Sequence, residues 1–229
     1  MREIVFDTET TGLSPAGGDR MVEIGCVEIY NRVETGRHFH AYFNPDRDMP
    51  VEAEAVHGLT TIFLSDKPRF AEKVDELLDF IEDSPLVAHN ASFDFGFLNS
   101  ELELCGRPGV CMSRMVDTLA LARSKHPGAK HSLDALCMRF GIDRSQRIKH
   151  GALLDAQLLA QVYVELTGGR QIGLGLVADT ASVAVQRSSG PVTVRETRPP
   201  RPHAAAEEEL ERHRAFIAKL VNPLWARFA

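Results

Sequence analysis

The chain is short of paired cysteines. It has four, Cys26, Cys105, Cys111 and Cys137, and no two stand in a Cys-x-x-Cys pair. That excludes a disulfide framework or a thiolate zinc site as the organising feature and predicts reduced core thiols. Aromatic residues make up only 7% of the 229 residues, with a single tryptophan. No apolar run approaches the ~20 residues that span a bilayer. Strand-like sequence begins at once, so neither a leader nor a membrane anchor is expected, and the predicted location is cytoplasmic. Basic charge is scarce as well. Residues 1–167 carry 17 Lys or Arg against 26 Asp or Glu, and the remainder carries 9 against 6. A domain with that excess of acid is a poor stand-alone partner for a polyanion. Apolar residues at 44% are ordinary for a globular protein, and the length allows one good-sized domain plus extra.

What is present starts with Asp7-Thr8-Glu9. The preceding Ile4, Val5 and Phe6 read as a buried strand, on which Asp7 and Glu9 point to the same face. Two carboxylates side by side at a core repel each other. A cation is the usual compensation, and hard oxygen ligands favour Mg²⁺ or Mn²⁺. Alone, the pair also fits two strand-end acids in a turn. Asp94 follows the short strand 86–88, at a junction with a helix whose Phe93, Phe97, Leu98, Leu102 and Leu104 are expected to line one side. Its plainer reading is a first-turn aspartate favoured by the helix dipole. Asp155 sits in an apolar helix running through Leu158, Leu159, Val162 and Leu166, where a lone carboxylate is costly unless paired or metal-bound. His150 stands just before that helix, on a loop able to bring it over a site.

The patterning predicts a mixed α/β domain. Strands are expected at 2–7, 21–30 and 37–43, joined as an antiparallel meander, and at 86–88 and 111–116. Helices are expected at 69–82, 93–104, 117–123, 133–140 (capped by Ser132 and stopped by Gly141) and 152–167. The domain is bounded at 1–169. Residues 170–206 hold Ser-Ser-Gly-Pro and Arg-Pro-Pro-Arg-Pro and read as a flexible linker. Residues 207–229 read as an amphipathic helix of about 20 residues. It begins with three glutamates and presents Leu210, Ile217, Leu220, Val221, Leu224 and Trp225. Folding back on the core is one fate for that face; docking in a groove of another protein is the other.

Asp-x-Glu at 7–9, His-Asn-Ala-x-Phe-Asp at 89–94 and His-x-Ala-x-x-Asp-Ala at 150–156 resemble, in order, the three motifs of the DEDDh (DnaQ-like) 3′→5′ exonuclease family. Val56-His57-Gly58-Leu59-Thr60 and Asp66-Lys67-Pro68-x-Phe70 are similar to members that proofread for bacterial replicative polymerases. The resemblance implies a ribonuclease H-like sheet flanked by helices and a replisome location at the nucleoid. Four carboxylates suit two divalent ions, one on the attacking and one on the leaving side of a phosphodiester. In this reading Asp7 bridges both ions, Glu9 and Asp94 serve one, Asp155 serves the other, and His150 is the general base. The substrate is the 3′ end of a DNA primer strand. Thr8, Thr10, Leu13 and His57 are candidate contacts to its last nucleotide, and Phe93 either stacks on a base or packs in the core. For His57 a surface histidine at a helix end is the rival reading.

The resemblance also names partners. The tail would bind the polymerase (alpha) subunit, raising the local concentration of nuclease at the primer end. Gln171, Leu174 and Leu176 have the spacing of a sliding-clamp contact. Two other readings stay open: an exonuclease trimming RNA or single-stranded DNA, and a catalytically silent adaptor in a polymerase complex.

Overall fold

The computed structural model describes residues 1–147, 149–169 and 205–221. The chain divides into two compact units, 1–176 and 177–229.

The first unit is built on one five-stranded sheet of order β3-β2-β1-β4-β5. Strands β1 (Arg2–Thr10), β2 (Met21–Tyr30) and β3 (Val33–Tyr42) form the expected antiparallel meander, and β4 (Leu86–Ala88) and β5 (Met115–Asp117) run parallel to β1. A two-residue turn joins β2 to β3, with Asn31 and Arg32 both at positive φ (50° and 67°), the geometry that matches strand twist in tight hairpins. Strand β3 starts earlier than the alternation predicts, because residues 33–38 are exposed and carry no burial pattern to read.

Helices cover both faces. On one, α3 (Phe70–Ile81) and α4 (Ala91–Leu104) bury Phe70, Val74, Leu77, Phe95 and Leu98 against Ile4, Phe6 and Ile24 of the sheet. On the other, α7 (Ala152–Leu166) lays Ala156, Leu159, Ala160 and Tyr163 on Val5, Val27, Ile29 and Val87. The far side of α7 packs Leu158, Val162 and Leu166 against Ala122 of α5 (Thr118–Lys125) and Leu136 and Cys137 of α6 (Leu133–Phe140). A helix buried on both sides explains why its sequence is apolar nearly all round. Two short helices, α1 (Val51–His57) and α2 (Thr61–Leu64), follow β3. Ser132 caps α6 through the Ala135 amide, and Gly141 ends it at φ 67°, as expected.

Two expectations are corrected. Leu104 is 66% exposed, since the last turn of α4 runs past the edge of the core. Cys26 and Cys137 are buried, but Cys105 is half-buried and Cys111 exposed, so only two of the four free thiols belong to the core.

In the second unit, α8 spans Glu207–Ile217, with three glutamates in its first turn and the Glu209 side chain accepting from the Ala206 amide. It is shorter than the predicted helix: Ala218 and Lys219 form a turn, and Leu220 and Val221 lie in a bend. Leu224, Trp225 and the proposed clamp segment Gln171, Leu174 and Leu176 lie outside the described residues.

Candidate active site

The site grows from a mismatch in strand length. Strand β4 has three residues and pairs only with Ile4 and Val5 of β1. From Phe6 onward that edge of β1 is uncovered, and α4 begins beside it. Asn90 makes the turn from β4 to α4 in the left-handed region (φ 64°). The Asp117 carboxylate holds that turn by accepting from the amides of Asn90 (3.1 Å) and Ala91 (3.4 Å), while also capping α5 through Leu119 N–H (2.9 Å). Asp94, in the first turn of α4, is thereby carried to β1, where Thr8 Oγ1 donates to its Oδ1 at 2.7 Å.

On the opposite face, Asp7 stands across from Gly25 and Glu9 across from Glu23. A Cβ on Gly25 would lie 2.3 Å from the Leu153 backbone, so the first turn of α7 rests directly on the strand. A glycine inside a strand often marks such an approach. Here it brings Asp155 to Asp7 and Glu9. The loop before α7 supplies His150, whose backbone N–H donates to Val56 O (3.4 Å). Asp7, Glu9, Asp94, Asp155 and His150 all line one cavity of about 540 Å³. Glu9, His150 and Asp155 present ligand atoms within 4.8 Å of one another.

The carboxylates crowd each other at low dielectric. Burial pushes Glu9 up to about 8, with the charges of Glu23, Asp155 and Asp94 adding to it. Burial raises Asp94 to about 7 against the opposing Thr8 hydrogen bond. Burial, then Asp94 and Glu9, hold Asp7 well above the usual carboxylate range. Arg147 answers part of this charge. Its Nε donates to Asp155 Oδ1 (2.5 Å) and its Nη2 to Oδ2 (2.7 Å), while Nη1 reaches Asp134 (3.1 Å) and Nη2 also reaches His150 Nδ1 (2.7 Å).

A second cavity of about 460 Å³ adjoins the first and is lined by Thr8, Thr10, Leu13, Val56, His57 and Phe93, among others. All five candidate nucleotide contacts therefore meet there. Leu13 is 85% exposed, and Phe93 is half-buried against the core while facing both cavities. His57 is not the surface histidine of the rival reading but is 6% exposed. Leu59 N–H donates to its Nδ1 at 3.0 Å, so the neutral ring carries its proton on Nε2. That Nε2 is buried without a hydrogen-bond partner among the described residues, although the nearby Thr10 backbone favours a proton there. Burial lowers the His57 pKa and keeps the ring neutral.

Sequence reasoning missed several residues. Arg147, Arg123 and His131 line the first cavity and no motif marks them, whereas His89, which opens the second motif, lines it as well. Asp117 was invisible as the clasp on the Asp94 turn. Glu23, which accepts from His40 Nε2 (2.7 Å) and raises Glu9, was legible as a buried acid opposite Glu9 once the meander was drawn.

The likenesses to known proteins follow the same lines. The RNase T-type Exonuclease family matches residues 4–163. A DNA polymerase III subunit epsilon from Rickettsia felis is 48% identical over 228 residues, covering 97% of this chain and 98% of its own. The Escherichia coli K12 protein of that name is 45% identical, with 94% and 92% covered. Among solved structures, Exonuclease X in complex with 5′ overhanging duplex DNA is 28% identical, covers 72% of this chain and 90% of its own, and superposes with TM-score 0.56. The nuclease domain of 3′hExo, a DEDDh family member bound to rAMP, has the same fold at 17% identity and TM-score 0.63, over 72% and 91% of the two chains. With most of its length accounted for in this way and its motifs in their order, the chain belongs to the exonuclease family, among the DNA polymerase III epsilon subunits.

Proposed function

We propose that this chain is the proofreading 3′→5′ exonuclease of a bacterial replicative polymerase, removing mispaired nucleotides from a DNA primer end. The observation that carries the proposal is the meeting of Asp7, Glu9, Asp94, Asp155 and His150, from one strand, two helices and a loop, in a single cavity. Three buried carboxylates and the half-buried Asp7, whose charges oppose each other, fit divalent cations, and an all-oxygen acidic set suits Mg²⁺ or Mn²⁺. Asp7, Glu9, Asp94 and Asp155 would hold two such ions. When bound, they supply Lewis-acid activation of water and charge relief on the phosphodiester.

The rest is the work of the chain. His150, half-exposed at the cavity rim, takes the proton from the attacking water. The second cavity receives the terminal nucleoside. His57 offers a fixed Nε2–H donor there, Thr8 and Thr10 line its floor, and Leu13 and Phe93 give apolar surface for sugar and base. In this reading the pocket accepts only a frayed strand, and the preference for mismatched ends comes from the ease of fraying. A paired end must first break stacking of about 1–2 kcal/mol per step, which a mismatched end has largely lost.

The acidic core binds DNA weakly, so the site depends on delivery. The residues after Gly169 would provide it, the tail docking on the polymerase subunit and Gln171, Leu174 and Leu176 touching the sliding clamp. The relatives' name, a subunit of DNA polymerase III, supports the first of these.

The test is nucleotide release from 3′-labelled mismatched duplex, paired duplex, single-stranded DNA and matched RNA, in Mg²⁺ and in chelator. Expected is metal-dependent release, fastest on single strand and mismatch. Equal rates on all DNA ends, or preference for RNA, would overturn the proofreading assignment. A chain cut after Gly169 should keep single-strand activity and lose association with the polymerase.

A further inference from the structure

We infer that Arg147 is a resident counter-cation of the site, which holds Asp155 and His150 until a divalent ion takes over the Asp155 oxygens. The inference deepens the metal-dependent reading above and rests on it. Three observations carry it. The Arg147 guanidinium is 10% exposed and engages both oxygens of Asp155, at 2.5 and 2.7 Å, so no Asp155 oxygen lies outside its fork. Asp155 is also one of three residues, with Glu9 and His150, whose ligand atoms are close enough to share one ion. Cation and metal ligand sets therefore overlap on the same atoms.

The third observation concerns the base. A guanidinium only donates, so the 2.7 Å contact from Nη2 makes His150 Nδ1 the acceptor and puts the neutral ring's proton on Nε2. Nδ1 also lies 3.2 Å from Asp155 Oδ2. In this arrangement the ring is held by the guanidinium, whose Nη2 also lies 3.4 Å from Nε2. Moving Arg147 off Asp155 frees the carboxylate and His150 together. Asp134, which accepts from Nη1 at 3.1 Å and is half-buried, is where the guanidinium remains anchored after release. Metal arrival and readiness of the base are thereby one event.

A merely structural Arg147 and an exchanging one predict opposite signs. If the arginine only props up Asp155, its removal weakens metal binding. If it competes, removal tightens binding. The experiment uses the full chain, with Mn²⁺ affinity read from free Mn²⁺ by spin resonance and thermal unfolding in chelator and in Mn²⁺. Arg147→Ala should bind Mn²⁺ roughly tenfold tighter, as one competing unit charge a few ångströms away is lost. It should also melt lower in chelator and gain more from Mn²⁺ than wild type does. Arg147→Lys, which keeps the charge, should return the affinity toward wild type without restoring the turnover number on single-stranded DNA, because a lysine lacks the fork. Arg147→Gln reads the same sign should the alanine variant fold poorly. Weaker Mn²⁺ binding by both Arg147→Ala and Arg147→Gln overturns the inference and leaves the metal site standing. Absence of Mn²⁺ binding by wild type overturns the metal reading with it.

Discussion

The main cavity is lined by an acidic set, Asp7, Glu9, Asp94 and Asp155, and a basic set, Arg147, Arg123, His131 and His150, which meet where Arg147 and His150 contact Asp155. The acids sit on β1, α4 and α7, in regular backbone, and three of them are at most 8% exposed. The basic groups come from the end of α5 and from the connections flanking α6, and Arg123 and His150 are exposed. The acidic side is costly to build: burial first, then neighbouring charge, raises Asp7 and Glu9, and nothing in regular structure lets the acids separate. The basic side is cheap and adjustable. A site that must hold cations at fixed points and release a product strand has reason to put rigidity on one wall and movement on the other.

The sharpest way to break this comparison is to remove a fixed acid. Asp7→Ala or Asp94→Ala should bring nucleotide release in Mg²⁺ down to background, while the melting temperature in chelator rises, because repulsion is relieved. If both variants keep more than about a tenth of the rate, the carboxylates do not act through a shared metal site. Removing the adjustable base should cost less. His150→Ala is expected to slow turnover by roughly 10²–10⁴, the usual worth of a positioned acid–base group. Its melting temperature should hardly move, as the side chain is 48% exposed. His150→Gln should fail too, since an amide does not take up the proton. Full activity in either variant would falsify the assignment of the base.

The difference between the walls also predicts a pH dependence. The raised Glu9 (about 8) and Asp94 (about 7) favour the protonated form in the folded chain. Their stabilising contribution is complete below the unfolded carboxylate range near pH 4, and it is lost as pH rises through 7 and 8. Each unit of upward shift corresponds to about 1.4 kcal/mol, shared among coupled groups. In chelator the melting temperature should therefore fall between pH 5 and 8. Mg²⁺ should flatten that slope, because the ionised acids then have a cation. A chelator profile that rises over this window would contradict the crowding of the acids.

The two walls differed just as much in the sequence. The acids were legible as two carboxylates two apart on a strand, one at the head of a helix and one in an apolar helix five residues after His150, and the resemblance of the three ordered motifs joined them into one site. The antiparallel meander followed from the short links among β1, β2 and β3, whereas the places of β4 and β5 beside β1 came only with the structure. Arg147 was not legible, for its role depends on where a loop of no periodicity lies after α7 has docked on Gly25. Asp117 was hidden for a related reason, since its partners Asn90 and Ala91 are close only through the β4–β5 pairing. Leu104 shares its helix phase with Phe97, yet phase says nothing about where the core stops. Gly25 carried a signal that was available, a glycine in mid-strand.

The smallest expected effect tests the border between the walls, at His57. Its Nε2–H is buried with only the nearby Thr10 backbone, short of hydrogen-bond geometry, to meet it, and a buried group left unsatisfied costs up to about 1–3 kcal/mol. A histidine kept only for packing would be improved by an apolar side chain of similar size. A histidine kept for substrate would be improved in stability and harmed in binding. His57→Leu should therefore raise the melting temperature without DNA and, at the same time, raise KM for a single-stranded 3′ end by about tenfold, the worth of one hydrogen bond. The turnover number should change less, because His57 lines the nucleoside cavity and not the one holding the four acids. His57→Gln, which retains a donor but not the ring, should fall between wild type and leucine in KM. A leucine variant with lower stability and unaltered KM would mean that the ring packs α1 against β1 and takes no part in holding the nucleotide.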